Sequence, residues 1–569
     1  MQKEPGRTGS GSFFMRKENI DIMHTILVTE HIHESGMNLL SQARDVSVSL
    51  RIGLDRTALL EAVSNVDAML TRSGTPLDRE IFDRAPRLRV VARAGVGVDN
   101  IDIAEASRRG IVIINAPTGN TLAATEHTMA MMLSAVRRLP HAHASVMNGE
   151  WRRKDFMGNQ LHGRKLLIVG LGRIGSQVAI RARGFGMEVS AFDPYVSEAH
   201  AERIGAKLLE NLDGALALAD IVTLHVPLTS ETRGMIGERE LKSLKCGAFL
   251  VNCARGNLVD EDALARELRN GRIAGVAFDV FGEEPIRKDH PLLAEDVRDK
   301  VVVTPHIGAN THEAQSAVAR IAVENMLSAL RGEAYEHAVN LPFMAHGLPE
   351  HQRQYLSLAR RMGIIAARLL SGAPQRLNIR LLGRLFTEDA GRIHFELPYR
   401  HSSYAVSILK GFLEVHLGPE VNYMSAPLLA QDRSLRVEES RGTASTYNNI
   451  VEVSAKSDRD VVTISATVTE ENKLRIVGIN GYWIDFVPEG TLLLFSNHDR
   501  PGVIGRIGTL LGNAGVNIAN FALGRKNGNG LALGVLQVDS AIPDDLLQTL
   551  RSDSDFVWAT TVTLTKDAM

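Results

Sequence analysis

One segment, residues 165–193, constrains the fold of this 569-residue chain more than any other. Its apolar run Leu166–Val169 is typical of a buried parallel strand, and a G-x-G-x-x-G turn follows, formed by Gly170, Gly172 and Gly175. The first glycine allows the tight turn, the second lets the backbone approach a pyrophosphate, and the third lets the next helix pack against the strand. Asp193 stands about 20 residues further on, at the end of a second strand, where a carboxylate can bind two ribose hydroxyls. The segment therefore predicts a dinucleotide site that favours NAD over NADP.

The composition limits the remaining possibilities. Lys and Arg number 64 against 66 Asp and Glu, a net charge of −2, so nothing favours binding to nucleic acid. The two cysteines, Cys246 and Cys253, are too few for a disulfide framework or a Cys-based metal site, which fits the cytoplasm. No stretch has the roughly 18 consecutive apolar residues that a membrane span needs. Residues 1–23 are expected to be a disordered lead. We therefore expect a cytoplasmic protein with no metal site and no nucleic-acid or membrane partner.

Several loops follow predicted strands, where α/β proteins bind their ligands. The loops 72–75 and 95–100 are rich in glycine, and Arg72 lies in the first of them, which suits a small anion. The glycines there could instead serve only to turn the chain. Further along, one cation, one carboxylate and one imidazole each follow a strand: Arg255, Glu284 and His306. We expect these three side chains at the sheet edge where the glycine turn also opens.

This combination of side chains suits the removal of a hydride and a proton from an alcohol carbon. Neutral His306 can accept the hydroxyl proton near neutral pH, and Glu284 would stabilise the resulting imidazolium. Arg255 can bind a substrate carboxylate through two parallel hydrogen bonds. Taken alone, each could be an ordinary surface charge or loop histidine. Together with the dinucleotide turn they predict a dehydrogenase.

Four segments, GLGRIG, NCARGNLVDEDAL, AFDVFGEEP and PHIGANTHEAQ, resemble the D-isomer-specific 2-hydroxyacid dehydrogenases in order and spacing. The resemblance implies NAD as cofactor and three catalytic residues: Arg255, Glu284 and His306. It also implies a substrate site formed by Ser73, Gly74, Gly97, Asn100 and Arg153, the last matching a position associated with a substrate phosphate. The cofactor contacts expected from the resemblance and the glycine turn are Thr75, Gly170, Gly172, Arg173, Ile174, Gly175, Asp193, Cys253, Ala254, Arg255, Asp279, His306 and Gly308.

The expected fold class is α/β, with a Rossmann-type NAD domain inserted in a flavodoxin-like substrate domain. An α+β intervening domain follows, and then a ferredoxin-like βαββαβ unit that resembles an ACT domain through HDRPGVIGRIGTLL. The predicted boundaries are 24–120 and 306–336 for the substrate domain, 121–305 for the NAD domain, 337–487 for the intervening domain and 488–569 for the ACT domain.

Over most of its length, the chain resembles the long members of this family. That resemblance implies oxidation of 3-phospho-D-glycerate to 3-phosphohydroxypyruvate, the first step of L-serine synthesis, by a homo-oligomer that we expect to be a tetramer. Asp499 and Asn517, at the ends of ACT elements, are expected to bind L-serine as an effector. Two alternatives stay open: a dehydrogenase or reductase for another 2-hydroxy acid, such as glycerate, glyoxylate or 2-hydroxyglutarate, and a non-enzymatic, corepressor-like binding protein on the same fold.

Overall fold

The computed structural model describes residues 23–343, 348–388, 399–526 and 530–564, and these form four β-sheets with helices packed on them. Of the expected disordered lead at 1–23, all but Met23 lies outside the described residues.

The first sheet is parallel, with five strands: β1 (His24–Val28), β2 (Val46–Leu50), β3 (Ala68–Thr71), β4 (Val90–Arg93) and β5 (Val112–Ile114). The helices between them are α1 (Glu34–Gln42), α2 (Arg56–Ala62), α3 (Arg79–Arg84) and α4 (Ile103–Arg108). Aspartate side chains accept backbone N–H groups at the start of three of these helices, namely Asp55, Asp78 and Asp102. The strand order β2-β1-β3-β4-β5 confirms a flavodoxin-like domain.

The second sheet is also parallel, with seven strands: β6 (Lys165–Val169), β7 (Glu188–Phe192), β8 (Lys207–Leu208), β9 (Ile221–Leu224), β10 (Ala248–Asn252), β11 (Ile273–Phe278) and β12 (Val301–Val303). Its helices are α5 (Thr121–Arg137), α6 (Leu139–Met147), α7 (Arg173–Gly184), α8 (Glu198–Ile204), α9 (Leu212–Leu218), α10 (Glu238–Ser243) and α11 (Glu261–Arg269). The order β8-β7-β6-β9-β10-β11-β12 is of the Rossmann type. The chain direction across the sheet switches between β6 and β9, which is where such sheets bind dinucleotides.

The chain then returns to the first sheet. Helix α12 (His312–Arg331) buries Val318, Ala322 and Met326 in the same core as Ile26 and Leu70 of that sheet. Along the chain, the Rossmann-type domain is therefore inserted in the flavodoxin-like domain, as expected.

The third sheet mixes parallel and antiparallel pairs. Its strands are β13 (Pro374–Gly383), β14 (Arg436–Gly442), β15 (Asn449–Ser457), β16 (Val461–Val468), β17 (Leu474–Ile479) and β18 (Tyr482–Phe486). Their order in the sheet is β14-β13-β15-β16-β17-β18. Its helices are α13 (Glu350–Leu369), α14 (Arg384–Glu388), α15 (Ser403–Leu417) and α16 (Ala426–Asp432). Helices α13 and α15 pack closely because Gly363 and Gly411 lack side chains. A Cβ at either position would overlap a backbone carbonyl of the facing helix.

The fourth sheet completes a βαββαβ unit: β19 (Gly490–His498), α17 (Val503–Asn513), β20 (Ile518–Arg525), β21 (Leu531–Val538), α18 (Asp544–Ser552) and β22 (Phe556–Leu564). The order β20-β21-β19-β22 confirms the ferredoxin-like prediction. One face carries the two helices and their core, which includes Leu493 and Phe495. The opposite face, with Leu492 and Leu533, belongs to one continuous core with α13 of the preceding region.

The region of the third sheet also contacts the region of the first sheet. Helix α16 lies against α4, where Arg108 Nε is 3.2 Å from Asp432 Oδ2 and Ala104 packs beside Leu428. In the part of the chain that the structure describes, no helix is long and apolar enough to cross a membrane.

Candidate active site

The glycine turn between β6 and α7 fits a dinucleotide pyrophosphate. Gly170 has φ +95°, a conformation that a side chain disfavours, and a Cβ at Gly175 would overlap the Gly170 carbonyl oxygen. Around Gly172 a Cβ would meet no atom within 4 Å, so the turn opens on free space there. Gly172 also precedes α7 without a side-chain cap, which leaves the first N–H groups of the helix available to an anion.

Asp193 is fixed beside this turn. Its Oδ2 accepts a hydrogen bond from Leu171 N at 2.8 Å, and its Oδ1 accepts one from Tyr195 N at 2.9 Å. A carboxylate offers about four lone-pair sites, so acceptor capacity remains for a ribose diol. Arg173 reaches from the start of α7 to Pro117 O at 2.9 Å, and Ile174 packs partly buried against the sheet. These contacts support a site for NAD.

His306 and Glu284 form the central pair of the site. The imidazole Nδ1 lies 2.7 Å from Glu284 Oε2, and Glu284 Oε1 accepts the N–H of Phe281 at 3.0 Å. Burial alone would raise the pKa of Glu284, but the hydrogen bonds from His306 and Phe281 outweigh it and lower the pKa. The carboxylate therefore stays ionised, and with Nδ1–H donated to it, the other ring nitrogen is left as a proton acceptor.

Asp279 holds the loop that carries His306. This buried carboxylate accepts hydrogen bonds from Thr304 Oγ1 at 2.6 Å, Ile307 N at 2.8 Å and Gly308 N at 2.8 Å. His127 Nε2, on α5, lies 3.2 Å from it. Although burial favours the neutral acid, these partners, His127 first, lower the pKa of Asp279. The contacts explain how His306 is kept at φ +53°, a conformation rare for a residue with a side chain.

Arg255 connects the region of the second sheet to the region of the first sheet. Its Nε donates to Asp99 Oδ2 at 2.9 Å, and its Nη1 donates to Ala254 O at 2.7 Å. Asp99 lies in the loop after β4 of the first sheet, so the ion pair connects the first-sheet region to the second-sheet region. The Arg255 guanidinium lies against Gly97, and a Cβ on Gly97 would overlap it.

The Arg255 loop also adjoins the Glu284 loop. At Gly256 a Cβ would overlap the Phe281 carbonyl, and Asn257 Nδ2 donates to Gly282 O at 3.3 Å. The structure thus brings the three sequence-predicted catalytic residues to one edge of the second sheet. Nearby Cys253 is unsuited to nucleophilic chemistry, because burial, with the charge of Asp279, raises the pKa of its thiol to about 12.

The carboxylate of Glu30 organises the loop 72–75. It accepts the N–H groups of Arg72 at 2.9 Å, Gly74 at 3.1 Å and Thr75 at 3.1 Å, and the Thr75 hydroxyl at 2.9 Å. Burial opposes the charge, but the Arg72 and Gly74 N–H groups and the threonine hydroxyls lower the pKa of Glu30. Asn100 closes the loop from the other side, with Nδ2 donating to Arg72 O at 2.9 Å and Thr75 O at 2.7 Å.

A cleft of about 550 Å³ opens beside this loop, and Arg72 lines it. The Arg72 guanidinium has no hydrogen-bond or ion-pair partner among the described residues, so it is available to an anion. Behind it, Arg93 donates to Gly97 O, and burial, with the charge of Arg255, lowers the pKa of Arg93 to about 10. Ser73 is exposed in the same loop. Arg72, Arg93 and Arg255 thus lie near one another, with Glu30 and Asp99 as neighbouring carboxylates.

Other predicted residues lie elsewhere. Arg153 is exposed on a 3-10 turn, Arg153–Phe156, beside α6, and makes no contact with Arg255, Glu284 or His306 among the described residues. Asp499 and Asn517 lie in the βαββαβ unit. Sequence reasoning missed the partners Glu30, Asp99 and His127. Their only signal is that Glu30 and Asp99 are acids just after strands, and that His127 stands on an apolar helix.

Comparison with known proteins places these regions in families. The model "D-isomer specific 2-hydroxyacid dehydrogenase, NAD binding domain" matches residues 129–308. The model "D-3-phosphoglycerate dehydrogenase intervening domain" matches residues 351–480, and the ACT domain model matches residues 491–555. These matches agree with the three regions that follow the first sheet.

Relatives match almost the whole chain. The D-3-phosphoglycerate dehydrogenase of Methanocaldococcus jannaschii is 39% identical over 529 residues, covering 93% of this chain and 98% of that protein. The Bacillus subtilis D-3-phosphoglycerate dehydrogenase is 37% identical, with 94% and 98% covered. Among solved structures, the TT0316 protein from Thermus thermophilus is 35% identical with a TM-score of 0.51, covering 55% of this chain and 99% of that chain. A D-lactate dehydrogenase from Aquifex aeolicus, complexed with NAD and lactic acid, is 28% identical with a TM-score of 0.50, covering 54% and 96%. The chain belongs to the D-3-phosphoglycerate dehydrogenase family, within the NAD-dependent D-isomer-specific 2-hydroxyacid dehydrogenases.

Proposed function

We propose that this chain oxidises 3-phospho-D-glycerate to 3-phosphohydroxypyruvate with NAD, the first step of L-serine synthesis. The observation that carries the proposal is the His306–Glu284 pair, 2.7 Å apart, at the sheet edge that also holds Arg255 and the glycine turn. A base, its supporting carboxylate and a carboxylate-binding cation are what the oxidation of a 2-hydroxy acid requires. The domain boundaries given above, with Arg255, Glu284 and His306 in catalytic roles, are part of this proposal.

His306 would take the proton of the substrate hydroxyl through its Nε2, because Nδ1 is held by Glu284. The Glu284 carboxylate would stabilise the imidazolium that forms. Arg255 would bind the substrate carboxylate and orient the carbon that loses hydride. NAD, when bound, supplies the hydride acceptor. Asp99 accepts from Arg255 Nε and Ala254 O accepts from Nη1, so the N–H groups of Nη2 and the second N–H of Nη1 have no partner among the described residues and can bind a carboxylate.

Two further arginines, Arg72 and Arg153, would bind the substrate phosphate. Arg72 lines the cleft and has no internal partner among the described residues. Arg153 would act from a second copy of the chain, since in its own chain it lies on an exposed turn. Beside it, Val146, Met147, Trp151 and Met157 are exposed large apolar side chains, which is typical of an interaction surface. We place the interface of a homo-oligomer here, and a tetramer would require a second interface.

That second interface fits the edge strand β20 of the ACT sheet, because an exposed edge readily pairs with another strand. Asp499 and Asn517 lie at opposite ends of this sheet, about 25 Å apart for an eight-residue strand. Antiparallel pairing of two β20 strands would bring Asn517 of one copy toward Asp499 of the other. L-serine would bind at these two shared sites and inhibit the enzyme. The free cysteines, Cys246 and Cys253, support a cytoplasmic location.

The test is a substrate panel with the purified full chain, following NADH formation. 3-Phospho-D-glycerate should exceed D-glycerate, D-lactate and 2-hydroxyglutarate in kcat/KM by at least about 100-fold, because two charged contacts to the phosphate are each worth about 1.5–3 kcal/mol. NADP should be a poor substitute, because Asp193 would repel a 2′-phosphate. Equal rates with D-glycerate would favour an enzyme for unphosphorylated 2-hydroxy acids, and turnover of none would favour a corepressor-like protein.

A further inference from the structure

His127 on α5 contacts the ends of two neighbouring strands of the second sheet. Its Nε2 lies 3.2 Å from Asp279 Oδ1 and 3.2 Å from Thr304 Oγ1. Asp279 directly follows β11 and Thr304 directly follows β12, and these two strands pair with each other. The side chains of His127 and Asp279 are 17% and 1% exposed, so the contact is largely shielded from water.

The neighbouring hydrogen bonds determine which atom carries the proton. The Thr304 hydroxyl lies 2.6 Å from Asp279 Oδ1 and donates to it, so its oxygen is left as an acceptor toward His127. An ionised carboxylate also only accepts. Because Nε2 faces two acceptors, it must carry a hydrogen and donate it. His127 is therefore a donor to Asp279 whether its ring is neutral or protonated.

Asp279 connects His127 to the loop that carries His306. Its Oδ1 accepts the N–H of Ile307 and its Oδ2 accepts that of Gly308, each at 2.8 Å. A Cβ at Gly308 would lie 3.1 Å from Asp279 Oδ2 and 3.7 Å from His127 Cδ2, so the loop packs against both side chains. The position of the loop therefore depends on Asp279, and the position of Asp279 depends on its donors.

The charge of Asp279 also depends on His127. Burial raises the pKa of Asp279, and among the contacts that lower it the hydrogen bond from His127 is the largest. The other titratable groups facing Asp279 are the neutral Cys253 thiol and the Glu284 carboxylate, itself paired with His306, and no lysine or arginine of the described residues forms an ion pair with it. Without the His127 donor, the pKa of Asp279 would rise and the carboxyl would take up a proton as pH falls. A protonated carboxyl has an O–H in place of one acceptor and would hold the loop less firmly.

We propose that His127 is a positioning residue for the oxidation, whose Nε2–H holds Asp279 as the anchor of the His306 loop. In this role His127 touches neither substrate nor cofactor and acts through Asp279. The inference rests on the proposed function, in which His306 accepts the proton of the substrate hydroxyl. Glutamine, whose amide also donates an N–H, should therefore replace His127, whereas an apolar side chain should not.

The experiment compares His127→Leu and His127→Met, which lack a donor, with His127→Gln, which keeps one, from pH 8.5 to pH 5.5. The full chain is assayed for kcat/KM with NAD and the best 2-hydroxy acid of the panel, and each variant is expressed as its ratio to the unaltered chain at the same pH. The two apolar variants should lose less than about threefold at pH 8.5 and about tenfold or more at pH 5.5, because Asp279 is then protonated, and His127→Gln should stay within about threefold throughout. His141→Leu is the matched control, since it removes a histidine whose Nε2 lies 2.9 Å from Arg298 O in the same region, and its ratio should not change with pH.

NADH binding, followed by the fluorescence of NADH, examines the same loop without turnover, because Gly308 is an expected cofactor contact. Relative to the unaltered chain, the Kd of NADH should rise in the apolar variants as pH falls and should stay constant in His127→Gln. If the unaltered chain oxidised no 2-hydroxy acid, the proposed function would fail and NADH binding would still decide the inference. A loss in the apolar variants that is the same at every pH, an equal loss in His127→Gln, or no loss in any variant would overturn the inference.

Discussion

At the scale of single residues, His306 is held by two carboxylates with separate tasks. Glu284 holds the ring through Nδ1, and Asp279 holds the backbone through the N–H groups of Ile307 and Gly308. Ring orientation and loop position are therefore set independently. A substitution at Glu284 should change the chemistry while leaving the loop in place, because Asp279 does not depend on it.

We expect His306→Ala and Glu284→Gln each to lower kcat about 100-fold or more, equivalent to about 2.7 kcal/mol in the barrier. The reason is that one removes the proton acceptor and the other its supporting charge. Steady-state rates with 3-phospho-D-glycerate and a fluorescence titration of NAD measure the two effects separately, and the Kd of NAD should change little. Glu283→Gln is the matched control, since that neighbouring carboxylate is exposed and lies 3.4 Å from Arg287. Near-normal kcat in either active-site variant would show that the proton leaves by another route.

Strand-end positions explain how much of the site is predictable from sequence. Arg255, Glu284 and His306 each follow a strand of one parallel sheet, so their common edge follows from the strand pattern. Asp279 was expected only as a cofactor contact, and its bonds to residues 307 and 308 depend on how two loops fold over each other. The partner Asp99 comes from another sheet, 156 positions away in sequence. No local pattern encodes such a distance.

At the scale of elements, the sheets follow from their sequence patterns where strands are strongly apolar. The sequence pattern does not predict strand β2, Val46–Leu50, because serines alternate with its apolar residues, and the strand is only half buried at the sheet edge. Central strands such as β6 and β10 are nearly continuous apolar runs, a pattern that predicts buried strands. The fold class was thus accessible from the sequence because it rests on the central strands and the glycine turn.

One ion pair fastens α12 to the first sheet and makes stability depend on pH. The Arg331 guanidinium, 2.7 Å away, lowers the pKa of Asp45 to about 2 from its ordinary value of 3.8. A lowered carboxyl pKa contributes stability above the ordinary value, and the contribution is lost as pH falls toward the folded value. Asp45→Asn should therefore reduce the free energy of unfolding by about 1 kcal/mol at pH 7, a value discounted because both side chains are about one-third exposed.

The measurement is the Tm difference between Asp45→Asn and the unaltered chain from pH 7 to pH 3. The difference should be constant above about pH 5 and shrink below about pH 4. A difference that stays constant down to pH 3 would mean that Asp45 acts by packing and not by charge.

At the scale of the whole molecule, the contact between α16 and α4 physically connects the C-terminal half of the chain to the region of the first sheet. Asp432 pairs with Arg108, and Asn422 lies so close to Gly110 that a Cβ there would meet its Nδ2 at 2.9 Å. We expect Asp432→Asn to weaken serine inhibition by up to about fivefold, since a pair of this exposure is worth about 0.2–1 kcal/mol. The basal kcat should not change, because Asp432 has no contact with Arg255, Glu284 or His306 among the described residues.

Serine titrations of initial rate on the full chain test this expectation. Asp296→Asn is a matched control, because it breaks a comparable exposed pair with Arg269 at 2.7 Å inside the NAD-binding region. An unchanged half-inhibitory serine concentration in Asp432→Asn would show that coupling passes through another contact, such as the pairing of subunits.

The core that the ACT sheet shares with α13 determines which segments of the chain could be exchanged between proteins. Leu492 and Leu533 are buried in one core with residues of α13, so a cut near residue 488 would bare an apolar sheet face on one fragment and an apolar helix on the other. Recombination, natural or engineered, would therefore preserve function only if it moved the intervening region and the ACT unit together. A designer who wanted an amino-acid sensor from this chain would have to transplant both as one cassette, starting before α13.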